Sequence, residues 1–324
     1  MSTYSDASFI ISASGGYKEG DATPTLGKLY NLKPDGATYP SMDVSRGGNA
    51  VSQRSDGYYQ INWPVNTARF TWDGGVPSIL VEKQSQNLIP YPRSFDNAYW
   101  GKQGTTIDDN GGVGYPCPFV DSSGVNTNEA YKLINNSDNT VHYVNYIPIY
   151  GSSIKTQSIW VKSGELTKVA LEESGVNGYY CSFDLITGTV IASNGITNYS
   201  IKKINDWYKL SITLAITSRY DFSIVALDDN YTNGEPVLYA YTGDGTSGIY
   251  ICHAQLEEGT VATSPIYGTE GSALTRLADN IQVDLPVGVT EVQLTDKDDV
   301  VTTDSSPADP YVIPESEWKK IIML

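Results

Sequence analysis

Short stretches of alternating apolar and polar residues recur along this chain between about residues 94 and 267. Side chains two positions apart share one face of a β-strand, so this alternation predicts strands. No stretch of about ten residues or more shows the 3.6-residue apolar period of an amphipathic helix. Turn-forming pairs such as Ser163-Gly164 and Thr187-Gly188 separate the stretches. The clearest predicted strands lie at residues 158–162, 166–171, 178–185, 209–216, 222–227, 237–241 and 248–256.

The predicted strands are short, evenly spaced and uninterrupted by helices, which is typical of a β-sandwich or jelly roll. We therefore predict an all-β protein whose central region, residues 94–267, is an antiparallel, jelly-roll-like β-sandwich. Its last strand should place residues 250, 252, 254 and 256 on one face and residues 249, 251, 253 and 255 on the other. Both faces are partly apolar, so we expect this strand to be buried and Cys252 to be a small core residue.

Two regions of different character flank the predicted sandwich. Residues 1–93 show little strand pattern and many glycines, prolines and aspartates, which predicts an irregular N-terminal region ordered by other surfaces. An extended oligomerisation arm packed on a neighbouring subunit is one interpretation, and a flexible leader over residues 1–30 is the alternative. Residues 268–324 predict a small β-rich C-terminal unit. It is too short to bury a sufficient core alone, so we expect it to dock on the sandwich or on symmetry-related copies.

Composition favours the same fold class and narrows the choice of partners. The 324 residues include 24 tyrosines and 30 glycines, and 37 acidic residues against 21 Lys plus Arg give a net charge of -16. Because nucleic acids and anionic membranes are bound through Lys and Arg, we expect neither as a partner. The first residues lack the basic stretch followed by an apolar core that is typical of a signal peptide, so we expect none. No run approaches the roughly 18 apolar residues of a membrane span.

Cysteine and histidine offer little chemistry in this chain. The three cysteines, Cys117, Cys181 and Cys252, are an odd number without a CxxC pair, which argues against a disulfide framework or a zinc cluster. The two histidines, His142 and His253, leave little room for a histidine-based metal site or nucleophile. We therefore expect no cofactor.

Several segments resemble, in the same order, recurrent stretches of tailed-phage virion structural proteins. The central one is residues 78–89 (Ser-Ile-Leu-Val-Glu-Lys-Gln-Ser-Gln-Asn-Leu-Ile), followed by Tyr91, residues 94–100 (Ser-Phe-Asp-Asn-Ala-Tyr-Trp) and Lys102. Upstream pieces are Lys18-Glu19-Gly20, Gly27-Lys28-Leu29-Tyr30, Ser45-Arg46-Gly47-Gly48-Asn49-Ala50 and Ser55-Asp56-Gly57. Downstream pieces are residues 254–259 (Ala-Gln-Leu-Glu-Glu-Gly), 262–266 (Ala-Thr-Ser-Pro-Ile) and 274–279 (Leu-Thr-Arg-Leu-Ala-Asp).

The resemblance implies a virion protein that carries a lectin-like or carbohydrate-binding-module-like jelly roll, of the kind found in phage head fibres, head spikes and tail adhesins. Two stretches depart from the family pattern: the insertion at residues 21–26, and Ser52-Gln53-Arg54 where the family often has Arg-Val-Asn. These departures concern the packing of the N-terminal region.

Glycan binding is the first candidate chemistry, because sugar rings stack on aromatic faces while amides and carboxylates hold their hydroxyls. We single out Trp207, Tyr208, Tyr220 and Tyr231 as candidate glycan-binding residues. Trp207 and Tyr208 follow Asn205-Asp206 at a predicted strand entry, and Tyr220 and Tyr231 fall in predicted loops. The alternative is that these rings pack in the core or across strands, as aromatic residues often do.

Metal binding and hydrolysis are weaker candidates. Asp108-Asp109-Asn110 and Asp228-Asp229-Asn230 place oxygen ligands close together and allow a calcium site, but neither has EF-hand spacing, and solvated turns are the alternative. The pairs Glu172-Glu173 and Glu257-Glu258 put neighbouring carboxylates on opposite faces of a strand, so neither pair can flank one glycosidic bond. We expect no enzymatic activity and no catalytic residues.

The main hypothesis is a phage head fibre or capsid-surface spike, a homo-oligomer such as a homotrimer. It would contact capsid proteins, and host-surface or mucosal glycans could be its ligands. The alternative is a tail-associated receptor-binding adhesin that binds host glycans. A polysaccharide depolymerase would need a long β-helix, and the sequence shows no short internal repeat. The modest length and lack of a long shaft favour the capsid surface over the tail.

Overall fold

The computed structural model describes residues 9–12, 42–73, 76–150, 152–173, 178–216, 219–234, 236–285 and 287–323. These residues form β-strands and connecting loops, without a helix among them, so the predicted all-β class is confirmed. No helix in this described part could span a membrane. The chain divides into two compact units, a central unit of Ser85–Thr275 and a terminal unit that combines Met1–Gln84 with Arg276–Leu324.

The central unit contains most of the predicted alternating segments. Its strands are β7 (Ser85–Asn87), β8 (Trp100–Gln103), β9 (Thr105–Asp108), β10 (Phe119–Val120), β11 (Tyr131–Asn135), β12 (Asn139–Thr140), β13 (Tyr143–Tyr150), β14 (Ser153–Ser163), β15 (Lys168–Glu173), β16 (Tyr179–Asp184), β17 (Thr189–Asn194), β18 (Asn198–Ile204), β19 (Trp207–Ile216), β20 (Arg219–Leu227), β21 (Tyr241–Thr242), β22 (Gly248–Glu258) and β23 (Leu274–Arg276), whose last residue already belongs to the terminal unit.

Two six-stranded antiparallel sheets build the central unit, with strand orders β18-β19-β14-β22-β11-β9 and β17-β16-β15-β20-β13-β8. The apolar faces of both sheets contribute to one buried cluster, which includes Ile159 and Ile251 from the first sheet and Leu171 and Ile224 from the second. Shared burial of two facing sheets is the arrangement of a β-sandwich. The jelly-roll form of its connections stays a prediction.

A β-bulge changes the faces of β22 from those predicted. The register with β14 shifts between Ser158 and Trp160, and His253 has a positive φ of 49°. Ile249 and Ile251 therefore point into the sandwich core before the bulge, and Ala254 and Leu256 point into it afterwards. Strict alternation placed these pairs on opposite faces, and that expectation is corrected here. Cys252 is fully buried, as predicted.

One predicted strand is mostly a loop. We expected a strand over residues 237–241, but only Tyr241 at its end belongs to one, the two-residue β21. The preceding residues instead cover the outer face of the second sheet, where Val237 packs with Val225 and Tyr231 in a separate apolar cluster. The apolar pattern of this segment therefore reflects packing onto a sheet and not membership of one.

The terminal unit is also a β-structure and contains both ends of the described chain. Its strands are β1 (Phe9–Ser12), β2 (Met42–Ser45), β3 (Ala50–Gln53), β4 (Tyr59–Trp63), β5 (Arg69–Asp73), β6 (Val76–Val81), β24 (Asn280–Val283), β25 (Val292–Asp296), β26 (Val301–Asp304), β27 (Tyr311–Val312) and β28 (Ser316–Met323). One sheet has the order β26-β25-β28-β6-β5, with β1 also paired to β28, and a second has the order β2-β24-β27.

The terminal unit differs from the flanking regions expected from the sequence. Its core combines Ile79 and Val81 from the N-terminal segment with Ile281, Leu294 and Ile321 from the C-terminal segment. The C-terminal segment thus buries its apolar face against residues 68–81 of the same chain. Between residues 42 and 81 the structure has five strands where we expected an irregular region. The expectation for residues 1–30 falls, apart from 9–12, outside the described residues.

Candidate functional site

The four aromatic residues singled out from the sequence are all buried. Trp207 and Tyr208 begin β19, and Tyr220 lies within β20 and not in the loop that we expected. The Tyr220 hydroxyl donates a hydrogen bond to Oε1 of Gln157 inside the sandwich. Tyr231 packs under the loop that covers the second sheet. A buried ring has no open face for a sugar, so these rings serve packing, and the predicted glycan-binding role is corrected.

The two candidate calcium loops use their carboxylates to hold turns. Asp108 accepts hydrogen bonds from the amide of Asn110, at 3.0 Å, and from the hydroxyl of Tyr115. Asp229 accepts bonds from the amide and the hydroxyl of Thr167, at 2.9 and 2.7 Å. Across the described ranges, no group of three or more His, Cys, Asp or Glu side chains is placed to hold a metal ion.

In the central unit, residues of the motif segments make buried polar contacts. Asn87 is fully buried, and its amide nitrogen donates to the carbonyl of Ala254 at 3.0 Å. Its side-chain oxygen accepts from the amides of Ile89 and Leu256.

Glu257 is a second fully buried residue of these segments, and it accepts hydrogen bonds from the side-chain amide of Gln255 and the backbone amide of Thr263. The hydroxyl groups of Ser85 and Thr263 also donate to its carboxylate. These motif residues therefore hold the fold and do not face a ligand.

A matching network lies in the terminal unit. Asp279 accepts hydrogen bonds from Arg46 and Arg69 and from the backbone amide of Glu82. The Glu82 carboxylate in turn binds Arg69 and Arg276, the latter at 2.6 Å. All three arginines are buried, and ion pairs compensate the loss of hydration of their charges. Four of these five residues lie in the motif segments, and Arg69 is the exception.

An open polar pocket of about 320 Å³ lies in the central unit, away from the four predicted aromatics. It is formed where the segment before β8, the Gly-rich loop after β9, the start of β11 and the segment before β23 approach one another. Its lining residues are Arg93, Ser94, Asp109, Gly112, Val113, Gly114, Asn128, Glu129, Tyr131 and Glu270.

Arg93 organises the pocket wall. Its guanidinium binds Oε1 of Glu129 at 2.9 Å and lies 3.4 Å from the carboxylate of Glu270. The Glu270 carboxylate also accepts bonds from the Arg93 amide and the Ser94 hydroxyl. Oε2 of Glu129 accepts bonds from Thr127 and Tyr267. The oxygens of both glutamates are thus occupied by the protein itself.

Two pocket side chains keep unused hydrogen-bonding capacity. Among the described residues, none bonds to the carboxylate of Asp109 or to the side-chain amide of Asn128. A carboxylate and a planar amide are groups that hold sugar hydroxyls. With Asp109, Glu129 and Glu270 against Arg93, the pocket lining is net negative, which favours a neutral ligand over an anionic one.

Gly114 fixes the contact between the Gly-rich loop and Asn128. Its φ is +73°, and a Cβ built on it would lie 1.7 Å from the carbonyl oxygen of Asn128. Its amide also donates to the carbonyl of Asp109 at 2.7 Å, which closes the loop. Any larger residue here would separate Asn128 from the loop, because backbone atoms occupy the space a side chain needs.

Three tyrosines form a row, which we call the tyrosine ledge: Tyr91, Tyr99 and Tyr146. The ring centroids of Tyr91 and Tyr99 are 4.8 Å apart, and those of Tyr99 and Tyr146 are 6.5 Å apart with nearly parallel planes. Tyr99 is 54% exposed. The Tyr91 hydroxyl lies 3.8 Å from the point where a Cβ added to Gly271 would lie, and Gly271 is the neighbour of the pocket residue Glu270.

The buried neighbour of Tyr99 holds the ledge in place. Trp100 packs at 4.8 Å from Phe95, and its indole N–H donates to the carbonyl of Tyr91 at 2.8 Å. The amide of Tyr99 donates to the side chain of Asn97, which completes the turn. The segment therefore sends Trp100 into the core and leaves Tyr99 facing outward.

Sequence reasoning included Tyr91 and Tyr99 in a motif but did not predict them as ligand residues. The adjacent pair Tyr99-Trp100 carried a usable signal, since one ring of such a pair can be buried while its neighbour stays exposed. The pocket residues come from segments far apart in the chain, and no local pattern links them. No protein-family model matches this sequence, and no curated protein matches it.

Proposed function

We propose that this chain is a non-enzymatic structural protein of a tailed-phage virion, a head fibre or capsid-surface spike that displays a saccharide-binding β-sandwich. The observation that carries the binding function is the tyrosine ledge, whose Tyr91 lies close to Gly271, the neighbour of the pocket residue Glu270. A sugar has an apolar ring face and a rim of hydroxyls, so stacking on an exposed tyrosine next to a free carboxylate and amide suits both parts.

The virion setting is supported by the ordered motif segments of the sequence. Their residues meet in buried networks around Asn87, Glu257 and Asp279, which is consistent with segments that a family keeps for its fold. The net charge of -16 suits a protein that avoids nucleic acid and anionic membranes. We propose that it assembles as a homo-oligomer, such as a trimer, on capsid proteins.

Binding without turnover is supported by the state of the pocket carboxylates. Hydrolysis of a glycosidic bond needs two carboxyl groups that are free to donate a proton and to attack or activate water. Glu129 and Glu270 are both tied to Arg93 and to neighbouring hydroxyl groups. Of the three pocket carboxylates, that of Asp109 alone accepts no hydrogen bond from a described residue. The pocket therefore offers one free carboxylate and no pair.

The binding proposal is tested with the purified full chain on a printed array of neutral, sialylated and sulfated oligosaccharides, followed by calorimetry on each hit. We expect a neutral oligosaccharide to bind, and Tyr99→Ala to weaken its binding about tenfold, or ~1.4 kcal/mol. Tyr199→Ala is the matched control, because Tyr199 is 49% exposed on β18 and belongs to neither the ledge nor the pocket. Absence of any hit, or equal losses in both variants, would reject the proposed site.

The virion proposal is tested separately by cryo-electron microscopy of the intact particle that carries this chain. Density for the chain on the capsid surface is the expected result. Density at the tail would replace the head-fibre proposal by the tail-adhesin alternative, while the saccharide site would be unaffected. Absence of the chain from the particle would reject both locations.

A further inference from the structure

The polar pocket combines two free hydrogen-bonding side chains with one exposed apolar side chain. The carboxylate of Asp109 only accepts hydrogen bonds, whereas the side-chain amide of Asn128 both donates and accepts them, and no described residue bonds to either group. Val113 also lines the pocket, and it is 65% exposed. A ligand that satisfies all three side chains needs a donor, an acceptor and a small apolar group.

Gly114 brings these three residues to one place in the pocket wall. It follows Val113 directly in the chain, and its amide donates to the carbonyl of Asp109 at 2.7 Å. Its lack of a side chain also admits the carbonyl oxygen of Asn128, which lies 1.7 Å from the position that a Cβ would take. Asp109, Val113 and Asn128 therefore surround a single glycine, although 19 positions of sequence separate the first from the last.

The backbone of Asn128 is held in an uncommon conformation. Its φ is +50°, in the left-handed region that few residues other than glycine adopt. Its amide donates to the side-chain oxygen of Asn126 at 2.9 Å, and two backbone bonds between Tyr115 and Ala130, at 2.9 and 3.1 Å, hold the loop against the following segment. Residues in this conformation are concentrated at binding sites, where the surrounding structure maintains them. The contacts thus form this part of the pocket before a ligand arrives.

We infer that the pocket is selective for saccharides that carry a 2-acetamido group, the N-acetylhexosamines. An acetamido group consists of one N–H donor, one carbonyl acceptor and one methyl group. The N–H donates to the carboxylate of Asp109, the side-chain amide of Asn128 donates to the carbonyl, and the methyl group packs on Val113. This inference rests on the proposed saccharide-binding function and names the class of sugar that the site takes.

Two related groups at the same sugar position fit the pocket less well. A hydroxyl group bonds to Asp109 or Asn128 but has no methyl group, so Val113 stays in contact with water. A free ammonium group is attracted by the net negative lining but has neither a carbonyl nor a methyl group. Comparison of the three groups therefore separates recognition of the acetamido group from attraction by charge.

The test is calorimetric titration of the purified full chain with three trisaccharides that share the same β-1,4 linkage. Triacetylchitotriose carries the acetamido group, cellotriose carries a hydroxyl group in its place, and deacetylated chitotriose carries an ammonium group. We expect triacetylchitotriose to bind roughly tenfold more tightly than either of the others. Equal affinity for triacetylchitotriose and cellotriose, or tighter binding of the deacetylated sugar, would overturn the inference.

Two variants assign the selectivity to named side chains. Val113→Ser should weaken binding of triacetylchitotriose about fourfold, the loss expected for one buried methylene, and leave binding of cellotriose unchanged. Val125→Ser is the matched control, because Val125 is 62% exposed in the same part of the chain but does not line the pocket. Asn128→Asp removes the amide donor but keeps a residue that tolerates a positive φ, and it should abolish the preference for the acetylated sugar.

The outcomes separate this inference from the function on which it rests. Equal losses for both trisaccharides in Val113→Ser, or the same loss in Val125→Ser, would contradict a contact between Val113 and the methyl group. Binding of neutral sugars without preference for the acetamido group would overturn the selectivity and leave the saccharide site in place. Absence of binding by every sugar, on the array and in calorimetry, would reject the proposed binding function itself. Thermal unfolding of each variant shows whether it is folded.

Discussion

The guanidinium of Arg69 binds the carboxylate of Asp279, with Nε 3.1 Å from Oδ1, across 210 positions of sequence. Their side chains are 0% and 2% exposed. Asp279 also accepts a bond from Arg46 at 2.9 Å. A single buried carboxylate thus binds two buried guanidinium groups, and it connects the N-terminal and C-terminal segments within the terminal unit.

Asp279→Asn should destabilise the protein by about 3–5 kcal/mol, because buried Arg46 loses its carboxylate partner and buried Arg69 keeps only that of Glu82. The free energy of unfolding is obtained from urea denaturation. The exposed pair of Arg54 and Asp56 is the control, with side chains 36% and 46% exposed. Arg54→Ala should change stability by less than about 0.5 kcal/mol. Similar losses for both variants would mean that burial does not determine the strength of these ion pairs.

Asn87→Ala should cost about 2–4 kcal/mol. The change removes three hydrogen bonds at once and leaves the buried amides of Ile89 and Leu256 and the carbonyl of Ala254 without their partner. Asn87→Asp is the informative comparison, because it retains an acceptor for both amides but loses the donor and buries a charge. We expect both variants to unfold at a lower midpoint urea concentration than the wild type. An unchanged midpoint for Asn87→Ala would contradict the structural role of the motif.

The buried carboxyl group of Glu172 should make the free energy of unfolding depend on pH. It is 3% exposed, and burial, with the nearby charges of Glu173 and Asp221, raises its pKa from 4.5 to about 8. Between these values the unfolded chain has released a proton that the folded chain retains, so this group lowers stability as the pH rises from about 4.5 to 8. Glu172→Gln should therefore stabilise the protein by a few kcal/mol at pH 8 and have little effect at pH 4.5.

The Glu172 prediction is measured by thermal unfolding at both pH values. Asp206→Asn is the control, since Asp206 is a surface carboxylate with an 82% exposed side chain. That variant should behave the same at pH 8 and pH 4.5 relative to the wild type. An equal effect of Glu172→Gln at both pH values would show that Glu172 ionises normally.

Gly114→Ala should weaken saccharide binding and destabilise the loop, because the new Cβ would collide with the carbonyl of Asn128. Gly111→Ala separates this collision from the cost of a positive φ. Gly111 has a φ of +70°, close to the +73° of Gly114, but a Cβ there meets nothing within 4 Å. We expect Gly111→Ala to cost about 1–2 kcal/mol and Gly114→Ala more. Equal stability losses and equal affinities in calorimetry would contradict the close contact.

The sequence by itself determined the fold class. Alternating apolar positions marked β14, β15, β16, β19, β20 and β22, because the two-residue period of a strand is a local property. The pattern failed at His253, where a bulge with positive φ changes the faces of β22, and at residues 237–240, where an apolar loop packs on a sheet. Both depend on the neighbouring strand or sheet, which the local pattern does not contain.

The sequence also contained the motif segments in which several of the buried polar residues lie. It could not show that Asn87 meets Ala254, or that Asp279 meets Arg69, since these contacts join distant segments. The candidate site depended on tertiary structure even more. Burial removed Trp207, Tyr208, Tyr220 and Tyr231 as ligand residues, because a tyrosine suits a core as well as a surface.

Only the tertiary structure decided where the polar pocket and the tyrosine ledge lie. Arg93, Asp109 and Glu270 come together because loops from separate strands end near one another. Such contacts depend on which strands become neighbours, and packing of the whole chain selects those neighbours, whereas a local pattern determines only the strands themselves.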